Sequence, residues 1–259
     1  MNIVFLGSGN TATIMARLMY QQGHRILQVW SRSVAHAGIL AMEVEAEVIE
    51  SFSQINPAAD ICIMAVSDAA VPVIASQLSL RKKILVHTAG SVSIDALKHS
   101  SLNYGVLYPL QSLRKELSFI PEIPFLVDGN SDDVKIVLTD FAKSISSHVT
   151  LATDEQRLKM HVAAVVANNF TNHLYAMAEA FCSKHQLPFE LLHPLIIETA
   201  SRLKQGNALD LQTGPARRAD IETIQAHLEI VKDEPELKNL YLTISESILK
   251  MYHKKSELR

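Results

Sequence analysis

A mostly parallel α/β sheet with helices on both faces, followed by an all-helical C-terminal domain, is the fold class that three features of the 259-residue sequence predict. Short β-branched runs alternate with helix-like segments through the first half, the order of strands and crossover helices that builds a parallel sheet. A glycine-rich turn stands directly behind the first run. After Thr150 the strand-like runs stop and helix-like segments follow one another to the end.

The strand candidates, in order, are Ile3–Leu6, Ile26–Trp30, Val44–Ile49, Ile61–Val66, Ile84–His87, Gly105–Leu107 and Phe125–Val127, with a further short one near Val149. Beyond Thr150, Asp154 is placed to cap a helix that runs to Lys184 with no proline or glycine to interrupt it. Pro188 stands near the start of the next helix and Gly206-Asn207 at its end. Thr213-Gly214-Pro215 form a loop, and Pro235 begins the last helix. The length exceeds that of a usual single domain, so two domains are expected, residues 1–152 and 153–259. The middle of the long helix, Val162 to Ala167, is apolar almost all round and has to be enclosed by protein on every side. The expected cover is the first domain on one side and a second copy of the chain on the other, a homodimer through the C-terminal helices.

Composition narrows the function classes. With 48% hydrophobic and 20% charged residues the chain has material for a substantial core, which argues against disorder. The formal net charge of -3 comes from interspersed acids and bases without a basic stripe, so no nucleic-acid partner is expected. Cys62 and Cys182 form neither a disulfide framework nor a metal-ligand spacing, and read as two buried thiols in a reducing cytoplasm. The opening residues Met1 to Leu6 read as a strand and not as a secretory signal. The apolar run Val162 to Ala167 falls far short of the roughly 20 residues that cross a bilayer, so no membrane association is expected.

Gly7-Ser8-Gly9-Asn10-Thr11-Ala12 fits the G-x-G-x-x-G/A fingerprint of dinucleotide-binding Rossmann domains, directly after a strand and before a helix. The first glycine permits the tight turn, the second lets the main chain approach a pyrophosphate, and Ala12 lets the helix pack closely on the strand. N–H groups at the helix start then hold the phosphates. At the end of the second strand, where an acid would bond the ribose 2′-hydroxyl of NAD(H), the chain has Ser31-Arg32-Ser33. A guanidinium beside two hydroxyls suits a 2′-phosphate, which favours NADP(H); a solvated surface arginine is the alternative. Two further strand ends, Ala65-Val66-Ser67-Asp68 and His87-Thr88-Ala89-Gly90-Ser91, are expected to flank the nicotinamide ribose. For Ser67 and Asp68 a helix-capping role competes with contact, and His87 is equally a core residue.

Taken together, the glycine turn, the Ala-Val-Ser-Asp strand end, Tyr108-Pro109-Leu110-Gln111-Ser112, the helix from His161 to Asn169, and Thr213-Gly214-Pro215-Ala216-Arg217-Arg218-Ala219-Asp220 resemble bacterial Rossmann-like proteins with a DUF2520 domain. The resemblance covers nearly the whole chain. More distantly the layout is similar to pyrroline-5-carboxylate reductase, ketopantoate reductase and the 6-phosphogluconate and β-hydroxyacid dehydrogenases. It implies a hydride-transfer enzyme whose small-molecule substrate lies between a Rossmann domain and a helical domain that also makes the dimer contact.

On the helix that carries chemistry in the β-hydroxyacid dehydrogenases, a catalytic lysine stands four residues before an asparagine. Asn169 matches that asparagine, but Val165 stands where the lysine would be. His161, seven and eight residues before Asn168 and Asn169, shares a side of the helix with both. Its imidazole suits acid/base work near neutrality, with Lys159 as the competing donor. Asn168, Asn169 or Asn172 would orient a carbonyl or imine, or else bridge helices. Arg217 or Arg218 would hold a carboxylate or phosphate in a bidentate contact, from its own or a partner subunit, or else pair with Asp220. Tyr108 is a further cleft candidate and Tyr175 a core residue. The expected function is an NADP-dependent oxidoreductase acting on a carbonyl or imine, with a non-catalytic NADP(H)-binding sensor as the alternative. A Rossmann-type methyltransferase would want an acid where Ser31-Arg32 stands.

Overall fold

The computed structural model describes residues 1–117 and 119–253. Its eight strands are β1 (Asn2–Leu6), β2 (Arg25–Trp30), β3 (Glu47–Ile49), β4 (Ile61–Met64), β5 (Ile84–His87), β6 (Asn103–Pro109), β7 (Phe125–Gly129) and β8 (Val149–Leu151). They form one sheet in the order β3-β2-β1-β4-β5-β6-β7-β8. Every pair is parallel except β6 with β7. The sheet thus runs outward in both directions from the β1–β4 pair, the arrangement that opens a ligand crevice at the carboxyl ends of these strands.

Residues 3–6 of β1 and 61–64 of β4 are wholly buried, because a central parallel strand is covered on both faces. Alternation along β1 sends Ile3 and Phe5 into one core with Ala12 and Met15 of helix α1 (Asn10–Gln21). Val4 and Leu6 enter the other, with Met64 and with Val71 of helix α3 (Ala70–Ala75). Helix α2 (Val34–Glu43) follows β2, and α4 (Asp132–Lys143) follows β7. Val44 to Ala46 do not join the third strand as expected. Glu45 takes a left-handed conformation (φ 52°) that ends α2, and pairing with β2 begins at Glu47.

The chain divides into two compact units, residues 1–170 and 171–259, a later division than the one expected at 152/153. The reason lies in α5 (Asp154–Ala164), which is tied to the sheet unit. Asp154 accepts from the Ile94 main-chain N–H, and Arg157 donates to the Val92 carbonyl. The cap of α5 is not Asp154 but Thr153, in a capping box with Gln156.

The expected helix to Lys184 is continuous in sequence but not in geometry: α5 passes into a π-helical segment, Val165–Phe170, before α6 (Thr171–Lys184) resumes the ordinary turn. The second unit continues with a 3₁₀ turn behind Pro188, α7 (His193–Ser201), α8 (Pro215–Arg218), α9 (Ile221–Ile230) and α10 (Pro235–Tyr252), the last with its proline in the first turn. Its core gathers on Ala216, Ile224 and Leu249. Among the described residues no helix is long and apolar enough to cross a membrane. Both cysteines are buried and unpaired, and burial pushes the Cys62 thiol up to about 12.

Candidate active site

A cavity of about 480 Å³ opens at the carboxyl ends of β1, β2 and β4. Its walls include Gly7, Ser8, Gly9, Asn10 and Thr11 from the first turn, Ser31, Arg32 and Ser33 from the second strand end, and Ala65, Val66 and Ser67 from the fourth. The turn is held from below. The Gly7 N–H donates to the Trp30 carbonyl at 2.7 Å, and the Ser8 hydroxyl donates to that of Ser31 at 2.8 Å. Gly7 has φ +126°, and a Cβ there would lie 2.2 Å from the Ala65 carbonyl oxygen, so neither the conformation nor the space admits another residue.

Gly9 is different. A Cβ on it would meet no protein atom within 4 Å, so the fold itself does not require glycine there, whereas a ligand approaching the main chain would. Gly9 is also the N-cap of α1 and brings no side-chain bond, and the first turn of that helix carries no acid. The amide groups and dipole of α1 are therefore left to an anion, as a pyrophosphate requires. The residues present fit a dinucleotide.

A second cavity, about 360 Å³, lies between the end of β6 and the far part of α5. It is lined by Tyr108, Leu110, Gln111 and Ser112, and by His161, Ala164, Val165, Ala167, Asn168 and Asn169. The π segment places so many neighbouring residues on one wall, since its wider turn rotates residues beyond Val165 less per step than an α-helix would. Such segments recur at functional sites. Tyr108 and His161 form a dyad, with the phenol oxygen 2.9 Å from Nδ1. Burial first, and the Asp68 carboxylate second, hold the phenol above its ordinary pKa, so Tyr108 stays protonated. Gly90 of the β5 loop lies against this dyad: a Cβ there would be 2.9 Å from His161 Nδ1 and 3.1 Å from Tyr108 Cε2. Only glycine allows the loop behind β5 to pack on both rings.

Beneath the dyad is a buried polar cluster. Arg157, 1% exposed, bonds the Val92 carbonyl and pairs with Asp154 at 2.7 Å. Its Nε and Nη1 find no acceptor among the described residues. His87 is wholly buried and takes the Ala89 N–H on Nδ1 at 3.2 Å. Among the described residues its Nε2 makes no well-formed hydrogen bond, and the Ser93 main chain offsets only part of the effect of burial. Burial first and the Arg157 charge second push His87 down to about 4.

His87 therefore folds neutral. Between its ordinary 6.5 and about 4 the unfolded chain binds a proton that the folded chain does not, so stability is full above 6.5 and falls as pH drops towards 4. The loss expected from this residue is on the order of 3 kcal/mol. Urea unfolding at pH 7, 5.5 and 4.5 checks it, with a His87→Gln chain expected to lose most of this acid limb; an unchanged limb would sink the assignment.

The expected site residues thus fall into groups. Gly7 to Thr11, Ser31 to Ser33 and Ala65 to Ser67 share one cavity, and His161, Asn168 and Asn169 share the other. Thr88 and Ala89 line neither and are nearly buried. Asp68 does not cap α3, whose N-cap is Ala69; its carboxylate accepts the Ser91 hydroxyl and ties the β4 and β5 loops together. Lys159 pairs with Glu155 at 2.6 Å and does not line the His161 cavity. Arg218 belongs to the second unit, 65% exposed and 4.0 Å from Asp220, and Arg217 lies over the Tyr252 ring. Sequence reasoning missed Lys115 and His36, which join the first cavity, and the Arg157–Asp154 pair. The i,i+3 spacing of that pair was the one available signal.

Comparison with known proteins identifies the family and the fold. The family model described as NADP oxidoreductase coenzyme F420-dependent matches residues 2–90, and that described as domain of unknown function DUF2520 matches residues 123–248. A crystal structure from Bacteroides fragilis, described as a "putative NADP oxidoreductase", is 37% identical with a TM-score of 0.87, over 96% of this chain and 98% of that one. The fold is shared with 1-pyrroline-5-carboxylate reductase of Streptococcus pyogenes, 16% identical, TM-score 0.66, over 98% and 99% of the two chains. It is shared too with a reductive aminase of Aspergillus terreus solved with NADPH and ethyl-5-oxohexanoate, 15% identical, TM-score 0.71, over 96% and 97%. No curated relative matches the chain.

Proposed function

Because the chain belongs to the DUF2520 family of Rossmann-fold, NADP-oxidoreductase-like proteins, we propose that it is an NADP-dependent oxidoreductase acting on a small carbonyl or imine compound. The observation that carries the reading is the Tyr108–His161 dyad, packed on Gly90 at the carboxyl ends of the parallel strands, the same ends that carry the dinucleotide cavity. When bound, NADPH supplies a hydride. The chain's own residues supply the rest.

Gly7 to Thr11 and the start of α1 hold the pyrophosphate, and Ser31, Arg32 and Ser33 hold the 2′-phosphate. Ala65 to Ser67 form the floor towards the nicotinamide end, with Gly90 against the dyad and Thr88 and Ala89 buried behind it. His161, held through Nδ1 by the Tyr108 hydroxyl, would offer a proton from Nε2 to the oxygen or nitrogen of a bound carbonyl or imine. The 2.9 Å bond between Nδ1 and the Tyr108 hydroxyl orients the ring so that Nε2 is the nitrogen left for the substrate. Asn168 and Asn169 orient the reacting group, and Arg218, exposed and loosely paired, is the anion-holding group of the second unit.

Substrate-dependent NADPH oxidation across oxo acids, ketones with added amines, and cyclic imines tests the reading. Tight NADPH binding without turnover on any of them would favour a sensor instead.

A homodimer belongs to the same reading, because Val162, Val166 and Phe170 are each more than half exposed on a helix too apolar to face water. Light scattering is expected to give twice the 28.7 kDa chain mass; a monomer would remove the dimer. Two buried free thiols suit the reducing cytoplasm in which we place it.

A further inference from the structure

Lys115 extends the dinucleotide cavity from an unexpected direction. It stands in the loop between β6 and β7, far in sequence from the strand end that carries Arg32, yet it lines the same cavity as Arg32 and His36. The loop is fixed there. Leu113 is buried, the Leu110 N–H closes the loop base on the Pro124 carbonyl at 2.8 Å, and Arg17 of α1 donates from Nη1 to the Lys115 carbonyl at 3.0 Å. Arg17 is itself held by a two-bonded contact to Glu43, at 2.7 and 2.9 Å.

The charges around this corner do not cancel. Glu43 is already paired with Arg17, and Glu116 faces Arg114 at 3.9 Å. Lys115 adds only a weaker pull on the Glu43 carboxylate. Among the described residues neither Arg32 nor Lys115 has an ion-pair partner, and the cavity they share with His36 is lined by no acid. The corner is a cationic recess with an anion's worth of charge to spare. Arg32 and Lys115 approach it from two separate loops, and His36 from the first turn of α2, where its N–H donates to Ser33.

We infer that Lys115 is a second 2′-phosphate ligand, opposite Arg32, and with it determines the preference for NADP(H). The inference rests on the cofactor reading above. The loop that carries it begins with Leu110, Gln111 and Ser112, which line the His161 cavity, so one segment touches both ends of the site.

The test is titration of the full chain with NADPH and with NADH, followed by fluorescence of Trp30, the single tryptophan, which lines the cavity. Lys115→Ala leaves intact the main-chain carbonyl that Arg17 binds. It is expected to weaken NADPH roughly five- to tenfold while NADH stays within about twofold, and Lys115→Arg is expected to restore most of the loss. The salt dependence of NADPH binding should also become shallower. Equal weakening of both nucleotides, or no change in their ratio, would overturn the role of Lys115 alone when the parent chain prefers NADPH and Arg32→Ala diminishes that preference. A parent chain that binds neither nucleotide, or NADH as tightly as NADPH, would overturn the cofactor reading beneath it.

Discussion

His161→Ala is expected to lower kcat for NADPH-dependent reduction by about 10²- to 10⁴-fold, the usual contribution of a positioned general acid, while NADPH binding stays within about twofold. The asymmetry follows from position. His161 lines the cavity of Tyr108, Asn168 and Asn169 and not the cavity of the glycine turn. Removing its ring deletes the proton donor without touching the residues that hold the nucleotide. Tyr108→Phe, which keeps the ring packed on Gly90 but removes the oxygen 2.9 Å from Nδ1, should cost less and should move the pH profile of kcat, because the hydrogen bond that orients the imidazole is gone. Steady-state kinetics over pH 5.5 to 9 with a competent substrate measures both. Undiminished turnover in His161→Ala would exclude the histidine as the acid and return attention to Tyr108, the dyad's other proton-bearing group.

Asp154→Ala is expected to destabilise the first unit by about 2–4 kcal/mol, less than the roughly 3–5 kcal/mol for breaking a fully buried ion pair. The carboxylate is 37% exposed, but its partner Arg157 is 1% exposed. Loss of the acid leaves a buried guanidinium without an ion-pair partner among the described residues, where Arg157 already has two nitrogens without acceptors. The Ile94 N–H and the first turn of α5 lose an acceptor and a favourable charge as well. The double change Asp154→Ala with Arg157→Met removes the stranded charge and should recover more than half of the loss. Urea unfolding of the three chains decides the point. A double variant no more stable than Asp154→Ala would mean that the acid acts through its main-chain bond and helix end, not through the arginine.

The sheet was legible almost strand for strand, because the runs of buried β-branched residues are short, bounded by turn residues and, in most cases, followed by a helix. The two strand ends that carry Gly7 to Thr11 and Ser31 to Ser33 were legible for the same reason: local chemistry dictates what a tight turn and a phosphate need. The helix from Asp154 to Lys184 was legible as a helix, since it lacks prolines and glycines. Its π segment was not, because Val165 to Phe170 have no residue that forbids an ordinary α turn, and tertiary contacts choose between them. The cap was misplaced by one residue since Thr153 and Asp154 are both good caps, and only the packing of Asp154 on Ile94 and Arg157 separates them.

By itself, then, the sequence determined the α/β class, the succession of strands along the chain, the glycine turn and the arginine at the second strand end, all of which follow from interactions between residues near one another in the chain. The tertiary structure alone decided that Tyr108 meets His161 across 53 residues of sequence. It alone brought Gly90 under both rings, let Arg157 bind the loop behind β5, and placed Lys115 in the cavity of Arg32. These pairings are long-range, and the side chains that make them carry no periodic or turn signal of their own. They come into register only because the parallel sheet brings the carboxyl ends of its strands together along one edge.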